Sequence, residues 1–290
     1  MGEIALAVAA SHAPGLVGLF DKAPEESQRI VAAAYDEIGR QIRDANLDLI
    51  IFIANDHLAD NRIGRYPDFF IGLAAEHRGP DEFFKDWLGV DDYTIPGAPD
   101  FGAKIFNGMN RLGVHAEATR ENLRFDDNIS IPVTRTGVAS LGVPILPILQ
   151  NVNVPPFPDQ HRSYEVGQTI RRVIEDDLPE GTRVGLFGTG GLSHEPGGKR
   201  DFWIDEEFDR WFLDLLEEGD HDKILREVTV ERMDAAGAGG TAELLSWVVV
   251  MGAVGEGGAN ILGYTAWDQW RCGIGAVTWD VAPVAAQVHA

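Results

Sequence analysis

The sequence of 290 residues predicts a single α/β domain, with a central mixed β-sheet flanked by helices on both faces and an active site at strand ends. Two patterns support this fold class. Short, continuous apolar runs such as LDLIIFIA at residues 47–54 are typical of strands that are covered on both faces. Amphipathic segments separate these runs, and no repeat or linker divides the chain. We therefore expect one domain over residues 1–290.

Apolar runs that end in turn-forming residues predict the strands. The first run, for example, ends at a Ser-His-Ala-Pro-Gly segment, and the second ends at Asn-Asp-His. In chain order, the predicted strands are Ile4–Ala10, Leu47–Ala54, Pro67–Leu73, Val143–Leu149 and Thr182–Gly188.

Amphipathic periodicity predicts the helices. In Pro24–Ala45, an acidic first turn precedes apolar residues that recur every four positions. Thr241, after a glycine-rich stretch, is interpreted as the N-cap of an apolar helix that carries Glu243. The segment Arg78–Asp100 is rich in Gly, Pro, Asp and aromatic residues, so we predict a long loop that serves as a lid or an interface. The other predicted helices are Phe101–Leu112, His161–Leu178 and Asp205–Glu218.

Charge and cysteine content exclude several classes of function. Acidic residues outnumber basic ones 46 to 24, which gives a formal net charge of −22 with neutral histidines. Such a field repels phosphate, so nucleic acid and anionic membrane surfaces are not expected as partners. The single cysteine, Cys272, excludes an internal disulfide and agrees with a cytoplasmic location.

No segment has the pattern of a signal peptide or a membrane helix. The N-terminal apolar run lacks a preceding basic region and is interpreted as a strand. The longest uncharged stretch, residues 138–157, contains four prolines, which a transmembrane helix would not tolerate. We therefore expect a soluble protein.

Three histidines share one sequence setting. His12, His57 and His194 each follow an apolar strand-like run within a few residues, and strand ends in α/β sheets form ligand-binding crevices. Imidazole is a common metal ligand, and two histidines with one carboxylate leave open positions on Fe(II). Glu243 leads a buried apolar helix, where a carboxylate needs a cation. The alternatives are exposed loop histidines and a glutamate that interacts with the helix dipole.

These residues belong to motifs that resemble those of the class III extradiol ring-cleavage dioxygenases, the family of protocatechuate 4,5-dioxygenase β subunits and gallate dioxygenases. The resemblance extends from the first strand to about residue 255, and GTGGLSH is its most specific part. The matching motifs are Ser11–Pro14 (SHAP), Asn55–His57 (NDH), Gly188–His194 (GTGGLSH) and the helix around Glu243 (AELLSWVVVMGA).

The resemblance implies a mononuclear Fe(II) ion, with Mn(II) as an alternative, held by His12, His57 and Glu243. His194 matches the family's acid–base histidine and would take a proton from a substrate hydroxyl. The implied reaction inserts both atoms of O₂ and opens a hydroxylated aromatic ring. A catechol, gallate, aminophenol or hydroxypyridine is the expected type of substrate.

The sequence departs from the family pattern at one position. The family has an Asp-His-Gly segment whose histidine is catalytic or substrate-binding, and Asp127 stands at the place of that histidine. An ionised aspartate accepts but does not donate hydrogen bonds. We therefore expect either a raised pKa at Asp127 or its contact with a donor on the substrate. His115 and His161 are considered as substitutes, but both have the sequence context of surface residues.

Two other functions use the same residues. A Zn²⁺-dependent hydrolase would need the same ligands, and a catalytically inactive scaffold would explain the change at Asp127. The family resemblance also implies a homo-oligomer, or a small partner subunit that covers the site. A second copy or the segment Arg78–Asp100 would serve the same purpose.

Overall fold

Eight strands form one mixed sheet in the computed structural model, which describes residues 1–61 and 64–281. Two further strands pair as a separate hairpin. The strands are β1 (Glu3–Ala10), β2 (Leu49–Ala54), β3 (Phe69–Gly72), β4 (Glu76–Gly79), β5 (Tyr93–Pro96), β6 (Glu117–Thr119), β7 (Ile145–Gln150), β8 (Arg183–Thr189), β9 (Ala259–Trp267) and β10 (Cys272–Trp279).

Helices cover both faces of the sheet. Short 3₁₀ segments at Phe20–Lys22, Val138–Leu141, Thr241–Leu244 and Asp268–Trp270 connect some of the elements. The α-helices are α1 (Gly15–Gly18), α2 (Glu25–Asp44), α3 (Glu82–Leu88), α4 (Pro99–Arg111), α5 (Asp127–Thr136), α6 (Gln160–Asp177), α7 (Glu206–Glu218), α8 (His221–Glu227), α9 (Val230–Gly237) and α10 (Leu245–Val254).

The strand order is β6-β3-β7-β2-β8-β1-β10-β9. The central strands β7, β2, β8 and β1 are parallel, whereas β3 and β10 join this core antiparallel to their neighbours. The carboxyl ends of β1, β2 and β8 therefore meet at one edge of the sheet. This arrangement brings the segments after the first, second and fifth predicted strands together.

Successive side chains along each strand point to opposite faces of the sheet and pack into two hydrophobic cores. In β2, Ile51 and Ile53 belong to the core beneath α4, α6, α7 and α10, while Ile50 and Phe52 belong to the core beneath α2 and α5. All residues of α10 are buried, which explains its uninterrupted apolar sequence. The predicted fold class, a mixed sheet between two layers of helices, is confirmed. The expectation of one domain over residues 1–290 includes residues 62–63 and 282–290, which lie outside the described residues, and stays a prediction.

The prediction of a long loop at Arg78–Asp100 is wrong. The segment contains the end of β4, all of α3 and β5, and the start of α4, with β4 and β5 paired antiparallel. The Asp81 side chain caps α3 by accepting a hydrogen bond from the Phe83 N–H, and Gly89 ends the helix in the left-handed conformation at φ 63°. Frequent Gly and Pro marked these element ends and concealed the short elements between them.

The prediction of Thr241 as an N-cap is also wrong. Thr241 opens the 3₁₀ segment Thr241–Leu244, and α10 begins only at Leu245. The hydroxyl oxygen of Thr241 instead accepts a hydrogen bond from the His194 N–H at 3.3 Å. Strands β9 and β10 and helix α5 were not predicted; α5 contains Pro132, which obscures a helical pattern.

Across residues 1–61 and 64–281, no helix combines the length and the apolar character needed to cross a membrane.

Candidate metal centre and active site

His12, His57 and Glu243 converge at the carboxyl edge of the sheet. His12 follows β1, His57 follows β2, and Glu243 lies in the 3₁₀ segment that precedes α10. The Glu243 carboxylate spans both rings: Oε2 lies 3.1 Å from His12 Nε2, and Oε1 lies 3.0 Å from His57 Nε2. The side chain of Glu243 is only 2% exposed.

Thr189, the last residue of β8, determines which nitrogen of His12 carries its proton. The Thr189 hydroxyl donates its hydrogen to the Asn128 carbonyl oxygen at 2.7 Å. It can therefore only accept from His12 Nδ1, which lies 3.3 Å away. With Nδ1 directed at Thr189, Nε2 is the nitrogen of His12 that faces the Glu243 carboxylate. Among the described residues, no donor hydrogen-bonds to this buried nitrogen.

Two consecutive aspartates face the other nitrogen of His57. Asp127 Oδ1 lies 3.0 Å and Asp126 Oδ1 lies 3.2 Å from Nδ1. Asp126 already accepts hydrogen bonds from the His57 N–H at 2.7 Å and, as the N-cap of α5, from the Asn128 N–H at 2.8 Å. Burial lowers the pKa of His57, but Asp127 and Asp126 outweigh burial and raise this pKa well above its ordinary value. With Nδ1 facing the aspartates, Nε2 is the nitrogen that faces Glu243, and it becomes a ligand atom when a metal ion replaces its proton.

Hydrogen-bond donors hold the Glu243 carboxylate in place. The N–H of Gly191 donates to Oε2 at 2.9 Å, and the side-chain amide of Asn55 lies 3.1 Å from Oε1 and 2.9 Å from His57 Nε2. Burial raises the pKa of Glu243, but His194 and His12 outweigh it and hold this pKa well below its usual range.

The side chains of His12, His57 and Glu243 form a set of ligands that fits a divalent cation. Two imidazole Nε2 atoms and one buried carboxylate converge, and a buried carboxylate needs positive charge beside it, which protons on the histidines or a bound cation can supply. A second grouping shares the histidines: one ligand atom each from His12, His57 and Asp127 lie within 4.8 Å of one another. Either carboxylate could complete the set.

His194 lies beside this centre with one nitrogen available. Its Nδ1 is 2.9 Å from the Leu192 carbonyl oxygen, which only accepts, so Nδ1 carries a proton. Its Nε2 lies 3.5 Å from Glu243 Oε1, and the side chain is 13% exposed. A Cβ on Gly240 would lie 2.5 Å from the His194 ring, so only glycine permits this approach. Cys272 Sγ is 3.8 Å from His194 Nδ1, and burial raises the pKa of this thiol.

A cavity of about 330 Å³ opens over the centre. All five residues predicted for the site line it, namely His12, His57, Asp127, His194 and Glu243. The other lining residues include three aromatic side chains and one ion pair, namely Phe84, Trp87, Trp270 and Arg271 with Asp201. Phe84 and Trp87 belong to α3, in the segment that had been interpreted as a loop. His115 and His161 are exposed and lie outside the described lining.

Sequence reasoning missed residues that shape the site without being metal ligands or bases. Asn55 and Thr189 stand inside the NDH and GTGGLSH motifs, so their positions were a usable signal. Arg271 and Cys272 follow the 3₁₀ turn before β10, a strand that was not predicted. No motif marked these two residues.

The model of the family described as "Catalytic LigB subunit of aromatic ring-opening dioxygenase" matches residues 6–274, which is most of the chain. The chain belongs to the LigB family. This membership confirms the resemblance noted in the sequence, since the family description is that of an aromatic ring-opening dioxygenase.

Several LigB-type relatives have names that specify a reaction. Gallate dioxygenase from Pseudomonas putida is 35% identical over 112 residues, which cover 39% of this chain and 32% of that protein. The 2,3-dihydroxyphenylpropionate/2,3-dihydroxicinnamic acid 1,2-dioxygenase of Photorhabdus laumondii is 27% identical over 65% of this chain and 56% of that protein. The enzyme of the same name from Cupriavidus necator is 24% identical over 94% of this chain and 97% of that protein. The chain thus spans about a third of the gallate dioxygenase and little more than half of the Photorhabdus enzyme.

One solved structure has a fold similar to that of this chain. The uncharacterized protein JW3007 from Escherichia coli K12 matches with a TM-score of 0.61 over 94% of this chain and 98% of that chain, at 13% sequence identity. A likeness at this identity concerns the fold alone.

Proposed function

We propose that this chain is a non-haem Fe(II)-dependent extradiol dioxygenase, which opens the ring of a hydroxylated aromatic compound with both atoms of O₂. His12, His57 and Glu243 are the metal ligands in this proposal. The observation that carries it is the convergence of two imidazole Nε2 atoms on a single buried carboxylate. Glu243 is favoured over Asp127 as the third ligand because it contacts both Nε2 atoms, whereas Asp127 contacts His57 Nδ1.

The ligand set is the reason for choosing Fe(II). Two histidines and one carboxylate leave positions free for other ligands, as in non-haem Fe(II) oxygenases, and Mn(II) is the alternative ion. When bound, the ion would lower the pKa of a substrate hydroxyl and supply the redox chemistry for O₂. The protein's own contribution is to fix the tautomers and orient the ligands through Thr189, Asp127 and Asn55.

His194 is proposed as the acid–base residue. Its Nδ1–H donates a hydrogen bond to the Leu192 carbonyl oxygen. Nε2 is therefore the nitrogen that lies beside Glu243 at the cavity and can exchange a proton there. A substrate hydroxyl at this position would transfer its proton to Nε2. The same imidazolium would then return the proton as the ring opens.

Asp127 is proposed to orient His57. Its Oδ1 lies 3.0 Å from His57 Nδ1 and pairs electrostatically with that side of the ring, as carboxylates near metal-bound histidines commonly do. Asp127 also lines the cavity, so contact with a donor on the substrate is the second role that its position allows.

A carboxylated substrate is proposed because the cavity wall carries one cationic side chain. Arg271 is the one Arg or Lys among the described lining residues. Its Nη1 lies 2.9 Å from Asp201 Oδ2, and its Cζ lies 4.5 Å from the centroid of the Phe202 ring. These contacts hold the guanidinium at the wall, where it can pair with an anion. The relatives' names contain gallate and 2,3-dihydroxyphenylpropionate, which are hydroxylated aromatic acids.

Oxygen uptake tests this proposal. Protein purified without oxygen is loaded with Fe(II) or, as the matched control, with Zn(II), and offered gallate, catechol, 2-aminophenol and a hydroxypyridine. O₂ consumption and a new absorbance band with Fe(II) alone would support ring cleavage. Hydrolysis of an ester or amide by the Zn(II) form would favour the hydrolase, and stoichiometric iron without any turnover would favour an inactive scaffold.

Assembly and location are also proposals. We infer a homo-oligomer in the cytoplasm, with a small partner subunit as the alternative way to cover the site. The single cysteine and the family resemblance support these inferences. Light scattering on the purified chain, alone and from its native host, would distinguish the two assemblies.

A further inference from the structure

Asp209 is a fully buried carboxylate that contacts the segment carrying His194. It lies in the first turns of α7 and is not among the residues that line the cavity. Its Oδ1 accepts a hydrogen bond from the Ser193 N–H at 2.7 Å, and its Oδ2 accepts one from the Tyr264 hydroxyl at 2.9 Å. Ser193 directly precedes His194, so Asp209 acts one residue away from the imidazole.

Ser193 is held from two sides by α7 and β10. Its hydroxyl oxygen accepts a hydrogen bond from the Asp205 N–H at 2.8 Å, and its carbonyl oxygen accepts one from the Gly273 N–H at 3.2 Å. A Cβ on Gly273 would lie 1.8 Å from Asp209 Oδ2, so the strand passes against this carboxylate. The orientation of the Ser193–His194 peptide therefore depends on the position of Asp209.

The acceptor oxygen of Asp209 matters more than its charge. Burial raises the pKa of Asp209 to about 7, against the lowering effect of the Ser193 and Tyr264 hydrogen bonds. Neutral and ionised forms both occur near this pH, and each retains an oxygen that can accept from the Ser193 N–H. A buried carboxylate is costly to retain, and here it satisfies a buried N–H that would otherwise lack a partner.

We propose that Asp209 is a positioning residue for His194: it fixes the Ser193–His194 peptide and thereby the distance of His194 Nε2 from the reacting hydroxyl. The inference rests on the proposed acid–base role of His194. Because misplacing a catalytic group by about 1 Å can cost up to about 10²-fold in rate, loss of this contact would lower kcat rather than substrate binding.

The test compares Asp209→Ala with Asp209→Asn in the iron-loaded enzyme. The Ala variant removes the acceptor, and we expect kcat to fall at least about tenfold with KM within about threefold and with stoichiometric iron. The Asn variant keeps an acceptor oxygen for Ser193 and should restore most of kcat. If the Ala variant does not fold, Gly273→Ala replaces it as the test, because a Cβ on this residue of β10 would displace the same carboxylate. We expect the same fall in kcat with little change in KM.

Two results would overturn the inference. Unchanged kcat in Asp209→Ala, or in Gly273→Ala where that replaces it, would show that the contact does not position His194. An equal loss of kcat in Asp209→Asn would show that charge is the property that matters. His194→Ala separates this failure from failure of the proposed function: if that variant turns over normally, His194 is not the base, whatever Asp209 does.

Discussion

The carboxylate of Asp127 lies 3.0 Å from Nδ1 of His57, at the ring nitrogen opposite the one that faces Glu243. The residue that replaces the family's histidine thus contacts a proposed metal ligand. The sequence had suggested a raised pKa or a substrate donor for Asp127. The His57 imidazole holds the pKa of Asp127 below its usual value, against the opposing effect of burial, so the raised pKa is not found and contact with a substrate donor stays a prediction.

Removing the charge of Asp127 should weaken metal binding without abolishing it. Asp127→Asn deprives His57 Nδ1 of its carboxylate, and loss of such a partner typically costs about 10- to 100-fold in metal affinity. Titration with Fe(II) or Co(II) measures the effect, and Asp214→Asn, an exposed position on α7, is the control. Complete loss of binding in Asp127→Asn, with binding kept in Glu243→Gln, would make Asp127 the ligand instead.

Thr189 should control metal affinity through the tautomer of His12. Thr189→Val keeps the shape but removes the acceptor for Nδ1–H, so we expect a fall in metal affinity of about tenfold or more. Thr189→Ser retains the hydroxyl and should bind metal nearly as well as the parent. Thr278→Val, a buried threonine of β10 that contacts Ala7 and Gln41, controls for hydroxyl loss in general. Equal affinities in Thr189→Val and the parent would contradict this role.

Arg271 should set the preference for anionic substrates. In Arg271→Gln, we expect the ratio of kcat/KM for gallate to that for catechol to fall about tenfold, because one charge-assisted hydrogen bond is lost. Arg271→Lys keeps the positive charge but loses the planar guanidinium group. Its ratio of kcat/KM for gallate to that for catechol should lie between the ratios of the parent and of Arg271→Gln. The ratio is measured by oxygen uptake. A constant ratio across all three proteins would exclude Arg271 from substrate selection.

Buried His77 should make the fold less stable in acid. Its Nδ1 accepts a hydrogen bond from the Leu123 N–H at 3.2 Å, and burial lowers its pKa from 6.5 to about 4. Because the folded pKa is the lower one, the unfolded chain takes up the proton first, and stability falls as pH drops from 6.5 to about 4. The contribution is about 3 kcal/mol.

Chemical denaturation of His77→Gln at pH 7 and pH 4 isolates this contribution. The variant should be less stable than the parent at pH 7, and the difference should shrink by about 3 kcal/mol at pH 4. His115→Gln controls for loss of an exposed histidine. A difference that does not change with pH would mean that His77 is not held neutral.

The sequence predicted those parts of the fold that have a continuous apolar signal. Strands β1, β2 and β8 were recognisable because both faces are buried, and their ends predicted where His12, His57 and His194 meet. Strand β9 is only partly buried and follows a glycine-rich turn, so its pattern was too weak. The GTGGLSH motif marked the position of Thr189, but its contact with His12 was not predictable because the two residues lie at the ends of strands far apart in sequence.

The convergence of His12, His57 and Glu243 was predictable because the two histidines follow apolar runs and Glu243 precedes one. The role of Asp127 was not predictable, since the family comparison supplied a position and the sequence supplied no distance to His57. The structure brings that carboxylate to the imidazole through the cap of α5, which begins at Asp127.

Iron content is the measurement that tests the proposed centre most directly. His57→Ala and His194→Ala are reconstituted with Fe(II) without oxygen, and bound iron and O₂ uptake are measured on the same samples. We expect His57→Ala to lose iron and turnover together, and His194→Ala to keep stoichiometric iron while losing turnover. Normal iron binding by His57→Ala would contradict the proposed ligand set.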